Sequence, residues 1–115
     1  MKIVLIGYMG SGKSTIGKQL ANLLNLQFKD LDDEIERVEK QTIEEIFSNK
    51  GEIYFRKKEI EVLKLVLNKN SNIILATGGG TPCFGNTMEY LKSDNEIITI
   101  YLKATVDSLV NRLYK

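Results

Sequence analysis

The sequence predicts an α/β fold with three α/β/α layers built around a parallel β-sheet. Three observations carry that prediction. Short apolar runs of strand type alternate with helical spacings, the first run leads through a glycine-rich turn into a helix, and no repeat, low-complexity stretch or linker divides the chain. At 115 residues, 43% hydrophobic and 27% charged, the composition is that of a globular chain, and residues 1–115 are expected to form one domain. A chain of this length buries a modest share of its surface, so a sheet short of its last elements is marginal.

Ile3-Val4-Leu5-Ile6 is a continuous apolar run rich in β-branched residues and ends at Gly7, as a strand buried on both faces does. Ile16, Leu20, Leu23 and Leu24 then recur at helical spacing and predict a helix from about Lys13 to Leu24. Leu26 to Phe28 reads as a brief second strand. The acids Asp30, Asp32, Asp33 and Glu34 open the next helix, which contains Ile35 and Val38, since carboxylates favour a helix amino terminus. Thr42 with Glu45 forms a capping-box pattern before Ile46 and Phe47, and Gly51 is expected to end that short helix. Another helix is predicted from Glu52 to about Leu67. Ile73-Ile74-Leu75-Ala76 is a second buried-strand run, and it enters Thr77 and the triplet Gly78-Gly79-Gly80, where a tight loop must follow. Ile97 to Leu102 is the last clear strand. Val106, Leu109, Val110 and Leu113 begin an amphipathic helix that reaches Lys115 without a stop signal.

Composition excludes several classes of function. Sixteen basic against 15 acidic residues leave a net charge of +1, which offers no global field for nucleic acid or an anionic membrane. The chain has no histidine, so histidine bases, nucleophiles and zinc ligands are absent and Asp, Glu and Lys must move protons. The single cysteine, Cys83, forms no internal disulfide, fits a reducing compartment and reads as a small packed residue. Met1 to Ile6 is too short an apolar stretch for an export signal, and no run approaches the roughly 20 residues of a membrane span. The expected compartment is the cytoplasm.

Gly7-Tyr8-Met9-Gly10-Ser11-Gly12-Lys13-Ser14 satisfies G-x-x-x-x-G-K-[ST] between a predicted strand and a predicted helix, the context that gives this motif its meaning. Glycines let the backbone curl so that several N–H groups converge on phosphate oxygens, and the helix amino terminus adds its dipole. Lys13 can reach the β- and γ-phosphates, and the Ser14 hydroxyl can ligate Mg²⁺. The residues assigned to ATP are therefore Gly10, Ser11, Gly12, Lys13, Ser14 and Thr15. The loop does not say which molecule receives the phosphate, or whether the nucleotide is transferred, hydrolysed or only bound.

Three further features bear on the acceptor. Asp30 and Asp32 lie near the carboxyl end of a predicted strand, the edge where ligands bind in α/β folds, whereas Asp33 and Glu34 suit a helix start. Arg56 recurs with Ile53, Ile60, Leu63 and Leu67 on one helix face, so its planar fork is expected to point inward, toward a carboxylate. An ion pair with Glu52 or Glu59 is the alternative that spacing leaves open. The triple glycine allows a backbone to approach a compact polar ligand, or it is a flexible turn.

Together, the phosphate loop, Asp30-Leu31-Asp32, the G-E-x-x-F-R element Gly51-Glu52-Ile53-Tyr54-Phe55-Arg56 and Thr77-Gly78-Gly79-Gly80 resemble shikimate kinase in order and spacing across essentially the whole chain. The resemblance implies a P-loop kinase fold and transfer of the ATP γ-phosphate to the 3-hydroxyl of shikimate by a monomer using Mg²⁺. It gives Asp30 a water-mediated hold on magnesium, and Asp32 the acceptor hydroxyls and their proton. It places Arg56 on the substrate carboxylate, Gly79 against substrate and Arg112 on the adenine ring, although a solvated Arg112 is equally compatible with its position. Lys13 and Asp32 are then the catalytic pair. Family members continue into a lid with a catalytic arginine, a last strand and a final helix, which this sequence does not contain, so the 115-residue chain alone is expected to be nearly inactive. Two rivals stand beside this reading: another small-molecule kinase such as a gluconate kinase, and a non-catalytic nucleotide-binding module.

Overall fold

A computed structural model describes residues 1–7, 13–78 and 87–102 of the chain. The elements run β1 (Lys2–Gly7), α1 (Lys13–Leu24), β2 (Gln27–Asp30), α2 (Leu31–Glu39), α3 (Ile43–Lys69), β3 (Ile73–Ala76), α4 (Thr87–Ser93) and β4 (Ile97–Leu102). Gly10, Ser11, Gly12, Gly79, Gly80, Cys83, Arg112 and the helix expected from Val106 lie outside the described residues.

Four strands pair in the order β2-β3-β1-β4, all parallel. The chain moves from β1 across β3 to reach β2, then reverses direction for β3 and β4. Right-handed crossovers require that reversal to place α1 on one face and α2, α3 and α4 on the other. The two apolar cores follow that division. Ile3, Leu5 and Ile74 pack with Ala21 of α1, and Val4, Ile6, Ile73 and Leu75 pack with Leu31, Ile35, Ile46, Phe55 and Leu63. Alternate residues of β1 thus serve opposite layers, which is why its sequence is apolar without interruption. Gly17 lets α1 lie close on the sheet, because a Cβ there would meet the Phe28 ring and stand 3.1 Å from Leu5 Cδ1.

Local chemistry sets the helix ends. The Thr42 hydroxyl accepts the Glu45 N–H at 3.1 Å and the Glu45 carboxylate accepts the Thr42 N–H at 3.1 Å, completing the predicted capping box. Glu36 reaches from α2 to accept the Ile43 N–H at 2.8 Å, so the α2–α3 corner satisfies three donors at once.

Four points compare with what the sequence predicts. The second strand is Gln27–Asp30 rather than Leu26 to Phe28, because the Leu26 N–H closes α1 onto the Ala21 carbonyl and pairing with β3 begins at Gln27. Gly51 ends the first helical segment of α3 as expected, with non-helical φ 85° and ψ 171°, and the second segment follows at once across a kink and reaches Lys69 rather than Leu67. The buried face of that second segment is Phe55, Glu59, Val62, Leu63, Val66 and Leu67, and Ile53 is 67% exposed, so the stripe lies one position off the one predicted. Finally, α4 carries little apolar periodicity and is not among the elements the sequence predicts; burial of Leu91 in the core shared by α3 and the sheet holds it in place.

Candidate active site at the carboxyl edge of the sheet

Lys13 opens α1, directly behind the phosphate-loop segment. The residue is largely buried, 9% exposed, and its ammonium donates to the Gly7 carbonyl at the end of β1 at 2.6 Å. Burial lowers its proton affinity, and the charges of Asp30 and Asp32 act the other way. Lysine and the two aspartates therefore share one field at the carboxyl ends of β1 and β2.

Asp30 divides its two oxygens between separate tasks. Oδ1 caps α2, accepting the Asp32 N–H at 2.9 Å and the Asp33 N–H at 3.4 Å. Oδ2 accepts the Ser14 hydroxyl at 3.1 Å, which ties the first turn of α1 to the start of α2. The cap fixes the carboxylate's rotation, so its free side faces the phosphate-loop helix as a consequence of helix capping. Thr15 is exposed on the same turn of α1.

Asp32 sits one turn into this acidic corner. Burial, followed by the nearby charges of Asp30, Glu59, Glu36 and Asp33, pushes its pKa up to about 6. A carboxyl group poised there holds or releases a proton near neutral pH, as a general base must. Asp33 is also raised, by partial burial and then by Asp30, but it is exposed at the helix start where the sequence reading put it.

Arg56 makes the ion pair that spacing left open. Its Nη1 donates to Glu59 Oε1 at 3.1 Å and to Oε2 at 3.3 Å, and Nε lies 4.0 Å from Glu52. The guanidinium carbon stands 5.3 Å from the Phe55 ring centroid, and that ring packs against Phe47 with centroids 4.7 Å apart. The Arg56 side chain is 18% exposed and that of Glu59 only 1%. The guanidinium is thus held by a buried carboxylate and an aromatic ring, in a side chain that is only partly exposed. The Glu59 charge that pairs with Arg56 is also among those that raise the pKa of Asp32.

Glu59 and Phe55 escaped the sequence reading as site residues. The legible signal was a glutamate inside the apolar spacing Phe55, Glu59, Val62, Leu63, Val66, three residues beyond an arginine. A buried carboxylate requires a partner, and Arg56 is in reach. On the far side, Thr77 leaves β3 buried, its amide and hydroxyl both donating to the Leu5 carbonyl, and Gly78 follows it.

A family model described as shikimate kinase matches residues 9–115. The chain belongs to the shikimate kinase family. It is 51% identical over 112 residues to a shikimate kinase of Flavobacterium psychrophilum, an alignment that covers 97% of this chain and 64% of that protein. The crystal structure of a shikimate kinase from Bacteroides thetaiotaomicron superposes with a TM-score of 0.85 at 40% identity, covering 99% of this chain and 63% of that one. A shikimate kinase from Acinetobacter baumannii, solved in complex with shikimate, gives 0.83 at 40% identity over 99% of this chain and 62% of that one. The chain therefore spans less than two thirds of the length of these shikimate kinases, with the phosphate-loop strand, the Asp30/Asp32 corner and the Arg56 helix inside the shared part.

Proposed function

We propose that the protein transfers the γ-phosphate of ATP to the 3-hydroxyl of shikimate, giving shikimate 3-phosphate and ADP. The reading rests on family membership and on one observation: the Arg56 side chain, 18% exposed, is braced by Glu59, a carboxylate whose charge also helps to raise the pKa of Asp32 to about 6. A guanidinium pre-oriented in this way suits the flat carboxylate of a ring acid, and Asp32 suits the orientation and deprotonation of a ring hydroxyl.

On the nucleotide side, Gly10, Ser11, Gly12, Ser14 and Thr15 are proposed to cradle the phosphates, with Arg112 against the adenine. Lys13 exchanges the Gly7 carbonyl for phosphate oxygen when nucleotide enters. Gly79 is proposed to contact the acceptor. The Ser14 hydroxyl and Asp30 Oδ2, 3.1 Å apart, are hard oxygen donors that fit Mg²⁺, with Ser14 binding the ion directly and Asp30 holding it through water. When bound, Mg²⁺ supplies charge that offsets the build-up on the transferred phosphoryl group. Transfer through a loose transition state asks the protein mainly for alignment, so Arg56, Asp32 and Lys13 act by holding acceptor, proton and phosphate in line.

Monomeric action in the cytoplasm, in aromatic amino acid and chorismate synthesis and without nucleic acid or membrane partners, completes the reading. Among the described residues no helix is long and apolar enough to cross a membrane. The test is ADP release by the product of the complete reading frame, with MgATP and a panel of polyols and hydroxy acids. Shikimate-dependent release supports the proposal, and a preference for gluconate or for no acceptor rejects it.

A further inference from the structure

We propose that Thr77 is a positioning residue for phosphoryl transfer, its hydroxyl fixing where the chain leaves β3 relative to the phosphate-loop strand. This rests on the reading above that the glycine triplet after Thr77 serves the acceptor. The pairing of β1 with β3 ends at Leu5 and Ala76, while β1 runs on beside β4 to Gly7. Beyond Ala76, then, the two strands part, and the gap between them opens at the carboxyl edge where ligands bind. Thr77 stands at the fork. Its amide donates to the Leu5 carbonyl at 3.1 Å and its hydroxyl donates to the same oxygen at 2.9 Å.

The second bond is the informative one. A single amide bond would already satisfy that carbonyl, and the neighbours Ile74, Leu75 and Ala76 show that the end of β3 accepts apolar side chains. A hydroxyl in a position 4% exposed must find a partner, and this one reaches across to β1 instead of bonding within its own turn. Two donors on one oxygen fix the approach direction as well as the distance. Two residues along β1 from Leu5 is Gly7, whose carbonyl receives the Lys13 ammonium. The Thr77 hydroxyl therefore sets the spacing between the root of the lysine-bearing loop and the root of the glycine turn, which is the spacing that in-line transfer depends on.

The experiment uses the product of the complete reading frame with Thr77→Val, Thr77→Ala and Thr77→Ser, measuring kinetics in shikimate and in ATP separately. Removing the hydroxyl in the first two variants should lower kcat/KM for shikimate by about 5- to 30-fold while KM for ATP stays within about twofold. Thr77→Ser should stay within about threefold of wild type in both. Equal changes in KM for both substrates, no kinetic effect at all, or unfolded Val and Ala variants beside a folded Ser variant would each show the hydroxyl to be merely structural and overturn the assignment. Should wild type fail to phosphorylate shikimate, the functional reading is what fails, and the same comparison, made with the acceptor it does use, decides the role of Thr77.

Discussion

The Arg56 guanidinium lies 3.1 Å from the Glu59 carboxylate, and Glu59 is the most deeply buried charged side chain among the described residues. Replacing Arg56 with Met removes one charged partner from a carboxylate inside the apolar core. The expected loss is about 3 kcal/mol of unfolding free energy, at the low end for buried pairs because part of the arginine reaches solvent. Arg56→Lys should recover most of the stability yet not shikimate binding, since an ammonium does not reproduce the fork. Urea unfolding and shikimate titration, run on the same samples, check both halves.

Asp32 predicts the pH dependence. With a pKa of about 6, kcat/KM for shikimate should fall about tenfold per unit below that pH and level off above it. Stability runs the other way. The folded state holds this proton more tightly than the unfolded chain, whose ordinary value is about 3.9. The group's contribution therefore declines as pH rises from about 4 to about 6, and stays at its lower level beyond. Partial solvent exposure limits the effect to about 1 kcal/mol. Asp32→Asn should abolish measurable transfer at every pH and raise stability at pH 7 by up to about that amount.

Gly51 holds φ 85° and ψ 171°, a region that is essentially glycine's alone, and nothing lies within 4 Å of where a Cβ would stand. Gly51→Ala should thus cost about 1–3 kcal/mol through backbone strain with no clash, and the loss should appear in the unfolding midpoint. Because the kink aims the segment carrying Arg56, shikimate affinity should fall with it, while nucleotide affinity should not.

Gly17→Ala acts by the opposite route. The added methyl would stand 2.9 Å from Phe28 Cδ1 and 3.1 Å from Leu5 Cδ1, so α1 must lift from β1 and β2. About 1–3 kcal/mol of destabilisation is expected. Nucleotide binding should weaken too, since α1 carries Lys13 and Ser14, and calorimetry with MgADP measures it.

Where local chemistry decided the structure, the sequence was a sufficient guide. The apolar runs of β1 and β3, the Lys13–Leu24 helix and the Thr42/Glu45 box all form as their patterns predict. Tertiary contacts decided the rest. The start of β2 depends on its register with β3, α4 depends on the burial of Leu91, and the buried face of α3 depends on how Gly51 turns it. In the site, the approach of Lys13 to the aspartates was legible in the motifs. The capping role of Asp30 and the bracing of Arg56 by Glu59 were not, because each requires knowing which way a helix faces.

The central claim is that Arg56 recognises the acceptor's carboxylate, and calorimetric titration of shikimate against its methyl ester tests it most directly. Wild type should bind the ester at least about thirtyfold more weakly, the loss of a bidentate charged pair, and Arg56→Met should bind both ligands alike. If Arg56→Met keeps the full preference for the free acid, the carboxylate is recognised elsewhere and the account is wrong.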